Sequence, residues 1–504
     1  MPTGFVGRSA NGGKVWLFEA NKTTKVRDAR WGDFLNILEH TSDGWSKIKW
    51  GAKEYFLRTE HVVAERPVEM IFLDVGQGDG CIFVSSETGA NERIMIVDAG
   101  VGDNMVRFLK WRFGKLKEEF RLHAAIVTHP DQDHYKGFQP IFAHEKVKFD
   151  RVYHNGIAER ATGELLGPTD ASGRFLTGIV VTDHDMRTLY SDPAVRGAKQ
   201  YPKLMHTAMT SGRVGKIEMM STEHGTKEGG KAWLPQFAPS DGRSAAIEVL
   251  GPVPDRAADG KIRLRWFGGT ISSTGKDEGK TKNGHSVILR MTIGHLRVLF
   301  GGDLNRPAED HLLRHYSGIA ANKPLADAVV GAAARLAADM MKTCHHGASD
   351  VTDEFIQAVH PFAYVVSSGD EESHAHPRPD LLGRLGKLGR GKAPMILCTE
   401  ILRSTREKGR EEDFKKLREL DEQVETLPAG SAEKREAQKA RKALQDHIQR
   451  RNVGVYGSIT LRSDGEHMEI SFRLEAPRQK QLWQVYSLRH DDAQGWVLTD
   501  RDEH

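Results

Sequence analysis

Three short apolar runs constrain the fold most. MIFLDVG (70–76), RIMIVDAG (93–100) and HAAIVTH (123–129) each pass from apolar and β-branched residues into a polar or glycine-rich end. Runs of this kind read as buried strands. Residues 104–113, between the last two, read as a helix. Strand and helix alternating along the chain predict an α/β fold. Further on, VILRMTIGHLRVLFGGD (287–303) reads as a hairpin whose second strand ends on Asp303, and AYVVSSG (363–369) as another buried strand.

The polar residues after these strands carry the chemistry. THPDQDHYKG (128–137) places His129, Asp131, Asp133 and His134 within six positions of a strand end. Loops leaving a rigid scaffold are where chemistry is usually placed. Three further constellations follow apolar runs: Asp303 in FGGDLN, His345 and His346 in KTCHHGAS, and His374 and His376 in SHAHPRPD. One aspartate after a strand is usually a turn former, and one histidine is usually a surface or satisfied core group. Together, histidines and carboxylates form the ligand set of divalent transition metals. Asp133 and His134 are adjacent and can address different ions from one turn. His129 and Asp131, two residues apart, fall on the same side, and one aspartate can bridge two ions.

The 504 residues suggest about three domains, or one large domain with additions. With 72 basic and 69 acidic residues the net charge is only +3, which excludes a general nucleic-acid footprint but leaves room for a local basic groove. Three cysteines, Cys81, Cys344 and Cys398, suggest free thiols in a reducing compartment. The N-terminus lacks the apolar core of a signal peptide, and no apolar run approaches the roughly 20 residues of a membrane span. A soluble, cytoplasmic protein is expected.

Residues 1–66 read as a small all-β unit, with strands in KVWLFEA, FLNILEH and WSKIKW and a boundary at Arg66-Pro67. Residues 156–243, rich in Gly, Thr and Asp, read as an insertion. Residues 403–451 are dense in Lys, Arg and Glu. Phe414, Leu417, Leu420, Val424 and Leu427 fall there at helical spacing before LPAG, which predicts an antiparallel helical hairpin with a narrow apolar seam and a solvated charged face. Residues 453–473 return to β-hairpin alternation around an Asp-Gly turn, and residues 477–504 read as a C-terminal tail. GKDEGKT (275–281) echoes a phosphate-binding loop, but it is one residue short and no apolar strand precedes it. It reads instead as a Lys-rich loop, and Lys276, Lys280 and Lys282 become candidates for contacting a substrate phosphate.

The order LDVGQGD (73–79), VDAG (97–100), THPDQDHYKG, FGGD and CHHGAS resembles the metallo-β-lactamase-fold hydrolases, and more narrowly the hydrolase domain of the ComEC competence proteins. NGHS (283–286) is similar to that family's Asn/Ser element. The family's closing Gly-His-Pro reads Ala375-His376-Pro377 here. The resemblance covers about residues 68–400 and 453–475, within a hydrolase domain spanning 67–476. The N-terminal unit resembles the bacterial SH3-like barrel.

The resemblance implies a four-layer αβ/βα sandwich holding two divalent metal ions, Zn²⁺ or Mn²⁺. It implies that His129 and Asp131 hold the first ion, Asp133 and His134 the second, and that Asp303 bridges. His345 would join the second ion with His346 beside it, and His154 in VYHNG would supply the remaining histidine. Asp98 and Asp79 would orient metal-binding histidines. Two ions about 3.5–4 Å apart create a bridging hydroxide near neutral pH, with His346 and His376 as candidate acids for the leaving group. The expected function is a phosphodiesterase or nuclease acting on nucleic acid. The alternatives are a small-molecule phosphodiesterase or lactonase, and a partner-binding protein that docks through its N-terminal barrel and carries a vestigial metal site.

Overall fold

Successive residues of a strand point to opposite faces of a sheet, and here both faces are buried. In the strand Ile94–Ala99, Ile94 and Ile96 join one apolar cluster while Met95 and Val97 join another. In Leu296–Phe300, Val298 and Phe300 enter the same second cluster, and Leu299 enters a third. This explains why the strands read as unbroken apolar runs rather than alternating ones. The protein, seen in a computed structural model, is described over residues 3–9, 14–268, 277–369, 375–399, 411–450 and 456–501.

Among these residues the chain is a mixed α/β structure with several sheets. The largest sheet has ten strands. Ile94–Ala99, Phe120–Ile126, Val147–His154 and Val214–Met219 lie parallel in that order. Antiparallel strands continue it on the other side, through Gly80–Val84, Val68–Phe72 and Ile459–Ser463. An eight-stranded sheet has the same plan. Leu296–Phe300, Met340–Lys342, Ala363–Val366 and Met395–Cys398 are parallel, and Ile288–Ile293 pairs antiparallel with Leu296–Phe300.

The cluster containing Met95, Ile126, Leu289, Phe300 and Val365 is shared by the two sheets, and Phe72 stacks on Phe300 across it with ring centroids 5.8 Å apart. The opposite face of the larger sheet is covered by the helices Asn104–Arg112, Asp183–Ser191 and Gln200–Thr210. That of the smaller sheet is covered by Arg306–Ser317, Val329–Leu336 and Asp353–Val359. The carboxyl ends of Ile94–Ala99, Phe120–Ile126, Leu296–Phe300 and Met340–Lys342 meet at one edge, where the Val287 N–H donates to the Thr128 carbonyl at 2.9 Å. Ligands of open α/β sheets bind beyond such ends.

Residues 3–9 and 14–63 contain a seven-stranded antiparallel sheet around Val6, Val15, Leu17, Leu35, Ile37, Ile48 and Leu57. Two expectations change. Residues 156–243 are not simply an insertion: Val214–Met219 is a strand of the ten-stranded sheet, and Tyr201, Leu204, Met205 and Ala208 are buried along one helix. Their helical spacing is diluted in sequence by the Gly-rich loops on either side. Nor are residues 477–504 a tail. Gln481–Asp491 and Gly495–Arg501 extend the ten-stranded sheet, and Arg30 of the N-terminal unit lies 3.6 Å from the Trp483 ring centroid.

Of the charged segment, the helices Glu411–Thr426 and Ala432–Arg450 pack together, with Leu417, Leu420, Val424 and Leu427 half-buried. Residues 403–410 of that reading lie outside the described residues, as do Lys276 and His374. Among the described residues no helix is long and apolar enough to cross a membrane.

Candidate metal centre

The site is built from strand ends that bend away from regular geometry. Asp98 has φ 54°, in the left-handed region that non-glycine residues seldom occupy, and the strand register shifts between Val97 and Ala99. The bulge turns the carboxylate toward the loop after Ile126. Thr128 donates its N–H to Asp98 Oδ1 at 2.9 Å and its hydroxyl to Asp98 Oδ2 at 2.7 Å. His134 Nδ1 lies 2.9 Å from the same Oδ2. An ionised carboxylate only accepts, so His134 carries a proton on Nδ1 and directs Nε2 inward.

His346 repeats the arrangement from the other sheet. Its Nδ1 is 3.0 Å from Asp79 Oδ1. His345 and His346 both adopt positive φ, 49° and 53°, and their rings stand 69° apart. His346 is thereby buried in the cluster, while His345 stays partly exposed.

His129 follows the same rule through neutral partners. Its Nδ1 faces Thr128 Oγ1 at 3.1 Å and Ser286 Oγ at 3.3 Å. Both hydroxyls donate elsewhere, to Asp98 and to the Asn283 carbonyl, so toward His129 they accept. Three imidazoles therefore keep a proton on Nδ1, and each turns its Nε2 toward Asp303. His134 and His346 each stand 3.1 Å from Asp303 Oδ2, and His129 stands 3.9 Å from it. The His134 and His346 Nε2 atoms are 3.2 Å apart. Asp133 reaches His346 Nε2 at 3.3 Å, and Asp131 reaches His129 Nε2 at 3.7 Å.

Asp79, His134, Asp303 and His346 are all buried, and each offers a ligand atom within 4.8 Å of the others. Imidazoles locked by carboxylates or hydroxyls behind them are the usual outer support of metal ligands, so this donor set fits divalent ions.

Electrostatics agrees with the geometry. Burial disfavours charge on His134, but Asp303 and Asp98 outweigh it and hold the imidazole well above its ordinary pKa. His346 is raised in the same way, against burial, by Asp303 and Asp79. Burial and the neighbouring His134 push His129 well below the usual range. Burial raises Asp303, but His134 and His346 reverse this and hold it well below the carboxylate range. His134 and His346 therefore carry protons when no metal is bound, and uptake must release them. Zn²⁺ affinity should fall by about tenfold per pH unit for each proton released, approaching a hundredfold for two, as pH drops through neutrality. Calorimetry in buffers of different ionisation enthalpy measures the protons. An affinity independent of pH would contradict this protonation state.

The other expected residues are placed as follows. His345 Nε2 is 4.0 Å from Asp303 Oδ2, and its ring centroid is 5.7 Å from that of His376. His154 is fully buried, but its Nδ1 accepts the Gly156 N–H at 3.1 Å, which leaves the proton on an unpartnered Nε2. Burial pushes it down to about 3. It has the opposite tautomer and stands outside the four-residue group. Lys282 is not free to reach out: in the helix Glu278–Gly284 it pairs with Asp131 and, at 3.2 Å, with Glu159. Lys280 is half-exposed near Asp277.

Several participants escaped the sequence reading. Lys342 is buried, pairs with Asp79 and donates to the Gly302 carbonyl at 3.2 Å. A lysine closing an apolar strand, as in MMKTC, was the available signal. Thr128 carried no signal, and Ser286 was read only as part of the NGHS element without a role, because what a short hydroxyl does depends on its neighbours.

No family model matches the chain. ComE operon protein 3 of Bacillus subtilis (strain 168) is 22% identical over 193 residues, covering 37% of this chain. The chain spans 22% of that relative's length. A solved structure of a mutant CmlA beta-hydroxylase aligns over 78% of each chain, with a TM-score of 0.32 and 10% identity, a likeness too slight to define the fold.

Proposed function

We propose that this chain is a dinuclear metal-dependent hydrolase of the metallo-β-lactamase type, acting on a phosphodiester and most readily on nucleic acid. The observation that carries this reading is the convergence on Asp303 of three imidazoles, each anchored through Nδ1. In this reading His129, Asp131 and Asp303 would hold one ion, and Asp133, His134, Asp303 and His346 would hold the other. Asp131 stands where the common lactamase pattern has histidine and makes the first position harder, so Mn²⁺ competes with Zn²⁺. Two such ions supply Lewis acidity and a nucleophilic water at neutral pH.

The chain's own residues orient and balance the site. Asp98 and Asp79 fix two rings, Lys342 and Lys282 offset the carboxylate charge, and His345, 4.0 Å from Asp303, with His376 beside it, would donate protons to the leaving group. The sandwich, with one helical layer outside each sheet, begins at residue 67 and takes in the strands Gln481–Asp491 and Gly495–Arg501, and the N-terminal SH3-like barrel docks a partner or substrate.

A second reading has one specific support. Two lysine ammonium groups already neutralise carboxylates here, as they would in a partner-binding protein whose site holds no metal.

Purified protein, stripped and reloaded with Mn²⁺ or Zn²⁺, separates these readings when assayed on single-stranded DNA, duplex DNA, RNA, bis-p-nitrophenyl phosphate and a lactone. Chelator-sensitive phosphodiester cleavage is expected. Lactone hydrolysis without phosphodiester cleavage rejects the substrate class. Less than one metal per chain under every condition rejects the metal enzyme.

A further inference from the structure

A groove of about 480 Å³ lies where the N-terminal sheet meets the larger domain. Its cationic lining is Arg27, Arg30, Lys49, Arg112 and Arg473, against the single carboxylate of Asp33. Arg30 and Arg112 are held in place, by Asp33 within the lining at 3.4 Å and by Glu69 behind it at 3.2 Å. Lys49 is exposed, and Arg473 lies over the Tyr456 ring at 5.3 Å.

Aromatic rings interleave with these cations. Two are open to solvent: Phe34 is 45% exposed and Trp111 48%, among the few large apolar side chains so exposed. Each is braced by a buried ring, Phe34 by Phe5 at 5.9 Å and Trp111 by Phe108 at 5.2 Å. Trp50 and Trp483 also line the groove, with Arg27 and Arg30 over their faces at 5.0 and 3.6 Å.

We infer that this groove binds single-stranded nucleic acid. A cationic channel following a phosphate backbone, with exposed rings on which unpaired bases stack, is the recurring solution for single strands. A duplex hides its base faces and would leave Phe34 and Trp111 unused. An acidic peptide would match the charge but offers no row of flat rings. The helix Asn104–Arg112 starts just after the Asp98 loop and carries Trp111 and Arg112 roughly 12 Å along its axis. The groove is therefore a holding site set apart from the metal centre. The choice of polymer rests on the proposed function, but binding here does not depend on the metal ligands.

The test is fluorescence anisotropy of the full chain in EDTA, with a labelled oligothymidylate, the matching duplex and labelled polyglutamate. Chelator keeps cleavage out of the measurement, so a failed hydrolase reading and a failed groove are distinguishable. The oligothymidylate should bind at least about tenfold more tightly than the duplex and lose affinity steeply with salt. Trp111→Ala and Phe34→Ala should each weaken it at least about fivefold, and Lys49→Glu should weaken it further. Circular dichroism of each variant checks that these exposed positions leave the fold intact. Equal binding of duplex and single strand, insensitivity to both ring variants, or polyglutamate binding as tightly as the oligonucleotide would each overturn the inference.

Discussion

Asp303→Asn should empty the metal centre. Among the described residues Asp303 is the one carboxylate that His129, His134, His345 and His346 all approach, at 3.1 to 4.0 Å from the same oxygen. It is 2% exposed and carries the negative charge that holds His134 and His346 protonated. Asparagine keeps the shape and removes the charge. Metal content should fall below one ion per chain, and hydrolysis should fall by roughly a thousandfold or more, because several kcal/mol of Lewis-acid stabilisation are lost. Elemental analysis and turnover with excess Mn²⁺ measure the two effects. A variant that keeps both ions and native turnover would remove Asp303 from the centre and the dinuclear reading with it.

Gly78→Ala should be the most damaging single-methyl change near the site. Gly78 has φ 105°, and a Cβ there would overlap the Asp133 carbonyl oxygen. The same contact lets Asp79 N–H donate to that oxygen at 3.3 Å, which locks the glycine-rich loop onto the loop holding Asp133 and His134. A methyl group must either push the two loops apart or strain both. The expected cost is about 3–5 kcal/mol, combining backbone strain with overpacking. Metal affinity should drop in parallel, because Asp79 and Asp133 move off His346. Gly76→Ala is the control. Its φ is 76°, but its Cβ would meet nothing within 4 Å, so only the conformational cost remains. Equal melting temperatures and metal affinities for the two variants would show that the close approach does not organise the site.

Much of the cluster around Asp303 was legible because its signals are local. His129, Asp131, Asp133 and His134 sit in one loop after an apolar run, and Asp303 ends another. Asp98 and Asp79 were expected behind the histidines and stand 2.9 and 3.0 Å from His134 and His346. The α/β class followed from apolar strand runs alternating with a helix along the chain, a pattern visible in short windows of sequence.

What the tertiary structure decided lies between segments far apart in the chain. Nothing in CHHG says which histidine turns inward; the positive φ of both residues and Asp79, 267 residues away, bring His346 closer to Asp303. Lys282 read as a mobile phosphate contact, yet it is held by Asp131 and Glu159. The strands at 481–501 read as a tail because their apolar face is completed only by a sheet begun at residue 68 and by Arg30 near the other terminus. Periodicity and spacing report what a residue's immediate neighbours require. The charge, tautomer and burial of a side chain are set by groups that folding alone brings within a few ångströms.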